Sequence, residues 1–382
     1  MTTPRLRFPE FINAPEWEVK KLKDNACVTA GQSPDGNFYN DFGNGLPFYQ
    51  GKTDFGDLFL QDPQKWTTKI TKVAQKDDIL MSVRAPVGAL NISKEKICIG
   101  RGLASIRAII DRWFLYYSLL SISKKIVGNG GSIFDSISKP DIEKIIIFTP
   151  SLPEQQKIAD CLTSLDDLIT AQNQKITALK NHKTALIQQL FPAEGQTTPR
   201  LRFPEFQNAP EWEEKKIKDI LDYERPDPYI VLNTAYVSSG TPVLTANKSF
   251  ILGSTDENFG IYENTPVVIF DDFTTDSKYV DFPFKVKSSA IKILTSDSGN
   301  NLKFLYELMK LIQFTGTEHK RYYISEYQML FVSIPSIPEQ QKIADCLTSL
   351  DDLISTQNQK LTALKNHKTA LMQQLFPVAE AS

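Results

Sequence analysis

Polar and basic side chains that could recognise nucleic acid recur at three loop positions in each half of this 382-residue chain. Amide, hydroxyl and ammonium groups can pair with base edges in the major groove or hold phosphates. A lone polar side chain in a loop is more often simply solvated, so each candidate also has that plainer interpretation. The candidate DNA-binding residues are Tyr49, Gln50, Lys52 and Thr53 with Thr245, Asn247 and Lys248 in the first loop; Arg84 with Thr274 and Thr275 in the second; and Asn129 and Ser132 with Thr317, Lys320 and Arg321 in the third.

Sequence patterns for catalysis are absent. The Asn/Asp-Pro-Pro-aromatic tetrapeptide of an amino-methyltransferase does not occur, and the glycine-rich stretch 128–132 lacks the lysine of a phosphate-binding loop. Residues 140–144 have the letters of a nuclease motif, but their context predicts the start of a helix. Four cysteines without CxxC spacing and three histidines give no zinc pattern. We therefore expect a chain that binds rather than catalyses, with no catalytic residues, no metal and no cofactor of its own.

Bulk composition is that of an ordinary soluble protein large enough for two or three domains, with 41% hydrophobic and 23% charged residues and a net charge of -2. Residues 21–150 hold 17 basic and 13 acidic side chains, whereas residues 215–335 hold 13 and 15. Binding of DNA by the second block would therefore depend on local clustering or on a partner's basic surface. No membrane-length apolar run and no signal-peptide layout occur, so we expect a cytoplasmic protein.

Two internal repeats organise the chain. A lead of 16 residues occurs at 2–17 and 197–212 and differs only at Ile12/Gln207. A 42-residue stretch occurs at 151–192 and 336–377, with 37 positions identical. We predict a first domain at 1–150, a helix and linker at 151–192, a second domain at 193–335, and a second helix and tail at 336–382.

The two variable blocks differ in sequence but share a pattern of elements. Short apolar runs bounded by Gly, Pro, Asn and Asp predict strands within 45–56, 77–88 and 100–109, and again within 240–253, 265–275 and 287–294. Residues 113–122 and 302–312 predict helices, and Ser138 and Ser325 each predict a helix N-cap. We expect two mixed α/β domains of one fold with different surfaces.

The repeated helix carries a heptad seam more than four heptads long. A narrow seam packs against one partner helix, and the other copy is the obvious partner, in antiparallel orientation. Glutamine and lysine within the seam would weaken packing while fixing register. The seam positions are Ile158, Leu162, Leu165, Ile169, Gln172, Ile176, Leu179, Lys183, Leu186 and Leu190 in the first copy, and Ile343, Leu347, Leu350, Ile354, Gln357, Leu361, Leu364, Lys368, Leu371 and Leu375 in the second.

The layout of block, helix, block and helix resembles the specificity subunit of type I restriction-modification systems over essentially the whole chain. The repeated leads, the stretch "PEQQKIADCLTSLDDLI", residues 84–88 and residues 100–108 carry the resemblance. It implies an α+β fold of two homologous target recognition domains, joined by an antiparallel coiled coil and related by a pseudo-twofold repeat. Each domain would read one half of a bipartite DNA target, and the helices would space the domains and dock two adenine-N6 methyltransferase subunits. Those subunits would carry S-adenosylmethionine, and motor-nuclease subunits would carry ATP and Mg.

Two alternatives remain at this point. A recognition subunit of a bipartite type II restriction-modification system would share the fold. A coiled-coil adaptor would use the helices without binding DNA.

Overall fold

Each long helix is divided between two packing units. The computed structural model describes residues 2–126, 136–247, 249–296, 299–314 and 320–377. Unit 1 comprises residues 1–174 and 359–382, and unit 2 comprises residues 175–358. Each unit therefore combines one lead, one variable block and half of each long helix, whereas the domain boundaries predicted above follow the blocks of the sequence.

Unit 1 begins with short strands and closes with the first long helix, α4, whose C-terminal half continues into unit 2. Its strands are β1 (Glu18–Lys21), β2 (Ala26–Ala30), β3 (Tyr39–Asn40), β4 (Leu46–Tyr49), β5 (Trp66–Thr67), β6 (Val73–Ala74), β7 (Ile79–Ser82), β8 (Leu90–Ile92), β9 (Ile97–Ile99), β10 (Leu103–Ala108) and β11 (Ile146–Thr149). The helices are α1 (Leu22–Asn25), α2 (Arg112–Ile126), α3 (Lys139–Glu143) and α4 (Leu152–Leu190).

Two sheets form the variable block of unit 1. One is antiparallel in the order β2-β10-β7-β8, and the other has the order β3-β5-β4-β9-β6 with β4 and β9 parallel. Successive side chains on a strand point to opposite faces. Accordingly Ile79 and Met81 of β7 pack in the core that includes α2, while Leu80 packs with the second sheet. The antiparallel pair β1-β11 joins the two ends of the block.

Unit 2 repeats this plan with fewer strands and contains the first half of the second long helix, α6. Its strands are β12 (Glu213–Lys216), β13 (Asp222–Glu224), β14 (Thr241–Leu244), β15 (Ile251–Thr255), β16 (Val267–Asp271), β17 (Ser277–Val280), β18 (Lys285–Val286), β19 (Ile291–Thr295) and β20 (Phe331–Ile334). The helices that begin in it are α5 (Leu302–Met309) and α6 (Ile337–Leu375).

Strand order shows that the two blocks share one fold. The antiparallel sheet β13-β19-β16-β17 corresponds to β2-β10-β7-β8, the pair β12-β20 corresponds to β1-β11, and the parallel pair β14-β18 corresponds to β4-β9. The side chains of β16 also alternate between two cores, as those of β7 do. Val268 and Phe270 pack with α5, while Val267 and Ile269 pack with the second sheet. The predicted mixed α/β fold in both blocks is confirmed.

The predicted helices are present with shifted ends. Helix α2 is longer than predicted, α5 ends three residues before Ile312, and the long helices begin at Leu152 and Ile337. Ser138 caps α3, where its backbone N–H and hydroxyl both donate to Asp141. The N-cap predicted at Ser325 is wrong, because that hydroxyl donates to the carbonyl oxygen of Arg321 and the segment forms only a short 3-10 turn at Tyr327–Met329.

Each repeated lead holds the N-terminus of the long helix of its own unit. In unit 1, Arg7 forms two parallel hydrogen bonds with Glu154, Nε to Oε1 and Nη2 to Oε2, both 2.7 Å long. The Trp17 indole also donates to Glu154 Oε1 at 3.2 Å. In unit 2, Arg202 binds Glu339 in the same bidentate way at 2.8 and 2.6 Å. The two copies of the lead therefore contact the two copies of the helix through the same buried guanidinium-carboxylate pair.

The two long helices are antiparallel in each unit. In unit 1, Ile158 and Leu162 near the start of α4 share a core with Leu375 at the end of α6. In unit 2, Leu190 at the end of α4 shares a core with Ile343 and Leu347 near the start of α6. All twenty predicted seam positions are buried or half-buried, as the heptad pattern requires.

The seam lysines form ion pairs with aspartates of the opposite helix. In unit 1, Lys368 binds both oxygens of Asp166 at 2.5 and 2.7 Å, and the Tyr117 hydroxyl donates to Asp166 at 2.6 Å. In unit 2, Lys183 binds Asp351 Oδ1 at 2.6 Å. A lysine among leucines therefore specifies which residues of the two helices lie opposite each other.

In unit 2 a buried glutamate takes the place of the tyrosine that hydrogen-bonds the seam ion pair in unit 1. Glu307 occupies on α5 the place of Tyr117 on α2, and its carboxylate binds Lys183, Lys303 and Lys310 at 3.1, 3.3 and 2.8 Å. Burial alone would raise the pKa of Glu307, but the hydrogen bond from Lys310 and the three lysine charges outweigh burial and hold the pKa below its ordinary 4.5. The same balance lowers the pKa of Asp351.

The lowered pKa values of Glu307 and Asp351 predict that unit 2 is destabilised by acid. A carboxyl group with a depressed folded-state pKa adds stability above its unfolded-state pKa, and that stability is lost as pH falls through the folded-state value. We expect unit 2 to lose protection from pepsin progressively below pH 4.5, the unshifted value for Glu307. The variant Glu307→Gln should show a shallower loss in unit 2 peptides, measured by pulse proteolysis and mass spectrometry. Equal slopes in the two proteins would contradict this assignment.

Candidate nucleic-acid interface

The first loop of unit 1 follows β4 directly. Gln50, Lys52 and Thr53 are exposed there, as a recognition loop requires. Asp54 closes the turn, because its carboxylate accepts hydrogen bonds from the backbone N–H groups of Gln50 and Gly51 at 2.9 and 3.3 Å. The loop therefore has a defined conformation of its own.

Tyr49 is not part of that surface. Its side chain is 4% exposed, and its hydroxyl donates to the backbone oxygen of Gln61 at 2.9 Å. Burial raises the pKa of Tyr49 to about 12. The prediction of a DNA contact is corrected for this residue, because its ring belongs to the core beside the second sheet.

Backbone hydrogen bonds bring the predicted loops of unit 1 together. The N–H of Val83 donates to the oxygen of Gly102 at 2.9 Å, and the N–H of Ile137 donates to the oxygen of Val83 at 3.0 Å. A side chain at Gly102 would place its Cβ 2.2 Å from the Gln50 oxygen, so only glycine permits this approach. Residues 50–53, 84, 100–102 and 136 thus form one group, the unit 1 loop cluster.

Arg84 lies at the centre of the unit 1 loop cluster. It is exposed, it follows β7, and its backbone forms an isolated bridge with Ser136. Asn129 and Ser132, the predicted third-loop residues of this unit, lie outside the described residues. The segment that follows the third loop is nevertheless adjacent to the second loop.

The corresponding loops of unit 2 meet in the same way. The N–H of Asp272 donates to the oxygen of Ala290 at 2.8 Å, and the N–H of Tyr322 donates to the oxygen of Asp272 at 2.8 Å. Residues 245–247, 273–275, 287–290 and 320–321 form the unit 2 loop cluster. Within it Asn247 is exposed and Thr245 half-buried, while Lys248 lies outside the described residues.

A buried ion pair holds the unit 2 loop cluster in place. Lys292 Nζ lies 3.1 Å from Asp272 Oδ2, with side-chain exposures of 3% and 1%. The other carboxylate oxygen accepts the backbone N–H of Tyr323 at 2.8 Å. Asp272 therefore ties the second loop to the segment that carries the third-loop candidates.

Of those third-loop candidates, Lys320 and Arg321 are exposed. Lys320 pairs with Glu326 at 2.8 Å. Arg321 donates from Nη2 to the Ser289 hydroxyl at 3.1 Å and lies over the Phe273 ring at 5.9 Å. Thr317 lies outside the described residues.

The predicted pairing of Arg84 with Thr274 and Thr275 is wrong by one or two positions. Val83 and Asp272 occupy equivalent positions. The backbone N–H of each donates to the turn before the neighbouring strand, β10 or β19, and the backbone oxygen of each accepts from the segment after the third loop. The counterpart of Arg84 is therefore Phe273. Thr274 is exposed, and Thr275 is half-buried with a positive φ of 60°.

Sequence reasoning missed one basic residue of the unit 1 loop cluster. Arg101 is exposed in the turn between β9 and β10, and its backbone N–H donates to the Ser33 hydroxyl at 3.2 Å. The sequence pattern could have indicated Arg101. A charged residue between two glycines at the end of a buried strand is typical of a tight turn whose central side chain is exposed to solvent.

Comparison with known proteins places this architecture in a family. Residues 15–181 and 210–366 each match the family described as "Type I restriction modification DNA specificity domain". The chain belongs to this family. It carries two copies of the domain, and each match includes a variable block together with most of the helix that follows it.

Relatives agree with the family match. A Methanocaldococcus jannaschii protein provisionally named the type I restriction enzyme MjaX specificity subunit is 41% identical over 182 residues, which are 46% of this chain and 43% of the relative. The alignment thus spans less than half of that relative. The MjaIX specificity subunit of the same organism is 23% identical over 409 residues, covering 94% of this chain and 92% of the relative.

A crystal structure supports the fold over the full length. The S subunit of a type I restriction-modification system from M. genitalium superposes with a TM-score of 0.67 at 17% identity, covering 99% of this chain and 100% of that one. The predicted fold class, two homologous domains with an antiparallel helix pair, is confirmed. Within the described residues, no helix combines the length and apolarity needed to cross a membrane.

Proposed function

We propose that this chain is the non-catalytic DNA specificity subunit of a type I restriction-modification complex, in which each unit reads one half of a bipartite DNA target. The observation that carries the proposal is the contrast between the two loop clusters. Both are assembled by equivalent backbone hydrogen bonds, yet they present different side chains. One scaffold with two different surfaces fits two different half-sites.

The repeated helices support docking of two identical methyltransferase subunits. Leu168 and Leu353 are repeat-equivalent and 55% and 40% exposed. Because the two helices are nearly identical in sequence, they present equivalent exposed side chains to a partner that binds twice. In this proposal the methyltransferase subunits carry S-adenosylmethionine, separate motor-nuclease subunits carry ATP and Mg, and the complex works in the cytoplasm.

Two other functions predict different observations. The recognition subunit of a bipartite type II system would lack a neighbouring gene for a motor subunit. An adaptor that uses only its coiled coil would leave DNA methylation unchanged. The exposed Gln50, Lys52 and Arg84, grouped at one site of unit 1, favour DNA binding over the adaptor.

Methylome sequencing of cells with and without the gene tests the proposal. We expect one bipartite adenine motif to be methylated in the parent strain and unmethylated in the deletion strain, because the methyltransferase cannot select its site without this chain. Restoring the gene should restore the same motif. A deletion strain with an unchanged methylome would contradict the proposal and favour the adaptor.

A further inference from the structure

The two arginines of the unit 1 loop cluster, Arg84 and Arg101, are both exposed. Among the described residues, neither the Arg84 nor the Arg101 guanidinium has a carboxylate partner or a side-chain hydrogen bond. Three of the other four arginines of this unit do: Arg7 binds Glu154, Arg107 binds Asp78 at 2.9 Å, and Arg112 binds Asp77 at 2.8 Å. The fourth is Arg5, which is exposed in the lead.

These two unpaired arginines are also neighbours. The hydrogen bond from Val83 N–H to the Gly102 oxygen continues the register in which Ser82 of β7 faces Leu103 of β10. Arg84 and Arg101 each lie one residue beyond that bond, so the chain delivers both to the same end of the β7-β10 ladder. Two positive charges held at one end of a ladder repel each other, and an acceptor that binds both would remove that cost.

The unit 2 loop cluster supplies a guanidinium by another route. Phe273 stands where unit 1 has Arg84, and Ser288 and Ser289 stand in the turn that holds Arg101. Arg321, from the segment after the third loop, lies over Phe273 and donates to Ser289. Each cluster thus presents arginine at this place, two in unit 1 and one in unit 2, although the loops that supply it differ.

We infer that Arg84 and Arg101 read guanine in the half-site of unit 1, and that Arg321 does so in the half-site of unit 2. This inference rests on the proposed function. A guanidinium can donate two hydrogen bonds to O6 and N7 of guanine, which is the commonest specific arginine contact in the major groove. For Arg84 and Arg101, a position at a ladder end favours the fixed geometry that such a bidentate contact needs. For Arg321, the hydrogen bond to Ser289 and the contact with the Phe273 ring do so.

The test compares methylomes of strains that carry the full-length wild-type gene, Arg101→Ala, Arg101→Lys, Arg84→Ala or Arg321→Ala. Removing one bidentate contact should reduce discrimination at one G·C pair by about 5- to 150-fold. The first three variants should relax one half-site only, and Arg321→Ala the other. Lysine at 101 should restore only part of the discrimination, since it keeps the charge and can donate to guanine but loses the planar pair of donors. Arg5→Ala, an exposed lead arginine of the same unit, is the matched control and should leave the motif unchanged.

The possible failures are distinguishable. A wild-type strain without a bipartite motif would overturn the proposed function itself. A wild-type motif that every arginine variant retains, or half-sites without guanine, would overturn only this inference. Methylation that falls equally at all sequences and is restored by Arg101→Lys would also overturn it, because that pattern indicates a phosphate contact.

Discussion

Replacing Arg7 with alanine is expected to lower the free energy of unfolding of unit 1 by about 3–5 kcal/mol, the usual cost of removing one partner from a buried ion pair. The Glu154 side chain is 1% exposed and Arg7 is 9% exposed. Without the guanidinium, Glu154 would keep only the Trp17 indole as a side-chain donor, at 3.2 Å. Arg7 also donates to the backbone oxygens of Ala14 and Pro15 at 2.8 Å. The variant would therefore lose both the bidentate bond from the lead to α4 and two hydrogen bonds within the lead, while the Trp17 bond and the Lys157–Glu10 ion pair would remain.

Hydrogen exchange resolved by peptide measures this effect in each unit. Arg7→Ala should reduce protection in β1, β11 and α2 and leave unit 2 unchanged. Arg202→Ala is the matched variant, because Arg202 binds Glu339 in the same way, and it should reduce protection in unit 2 alone. Arg5→Ala, with an exposed arginine, should change neither. If Arg7→Ala and Arg5→Ala gave the same protection, the ion pair would not hold the lead to the helix.

The parts of the fold that could be predicted from the sequence were those indicated by hydrophobic periodicity and by the internal repeats. The heptad seam indicated that each long helix packs against the other. A narrow apolar strip that contains one lysine can be buried only by a helix that supplies a counter-charge opposite that lysine. Apolar runs such as residues 79–81 indicated strands because a strand between two cores is apolar on both faces. The Arg7–Glu154 pair was not predictable in this way, because it joins residues 147 positions apart.

Recognition loops were predicted less well than the strands that carry them. Tyr49 and Gln50 are adjacent in sequence, and only strand alternation buries the first and exposes the second. Arg101 was missed because its role depends on which strands are neighbours, which is decided by the pairing of β10 with β7. The sequence identified Lys183 and Lys368 as seam residues. It did not predict their partners, because Asp351 and Asp166 lie outside the seam.

A matched insertion of seven residues in both long helices is expected to lengthen the unspecified spacer of the DNA target by about three base pairs. One heptad adds about 10.5 Å of helix, close to three base-pair steps of about 3.4 Å. The insertions belong between Asp166 and Lys183 in α4 and between Asp351 and Lys368 in α6. Seven residues keep the seam in phase, and both ion pairs, Lys368 to Asp166 and Lys183 to Asp351, can then form unchanged.

The matched control is the same insertion in α4 alone. It would shift one helix by a heptad against the other, so that the pair in unit 1 and the pair in unit 2 could not both keep their register. Methylation should then be lost rather than redirected, because a seam lysine would face leucines without its aspartate. Methylome sequencing separates the outcomes. If the double insertion kept methylation at the original spacer, the helices would not set the distance between the half-sites. A lengthened spacer would show that the length of the repeated helices sets this distance.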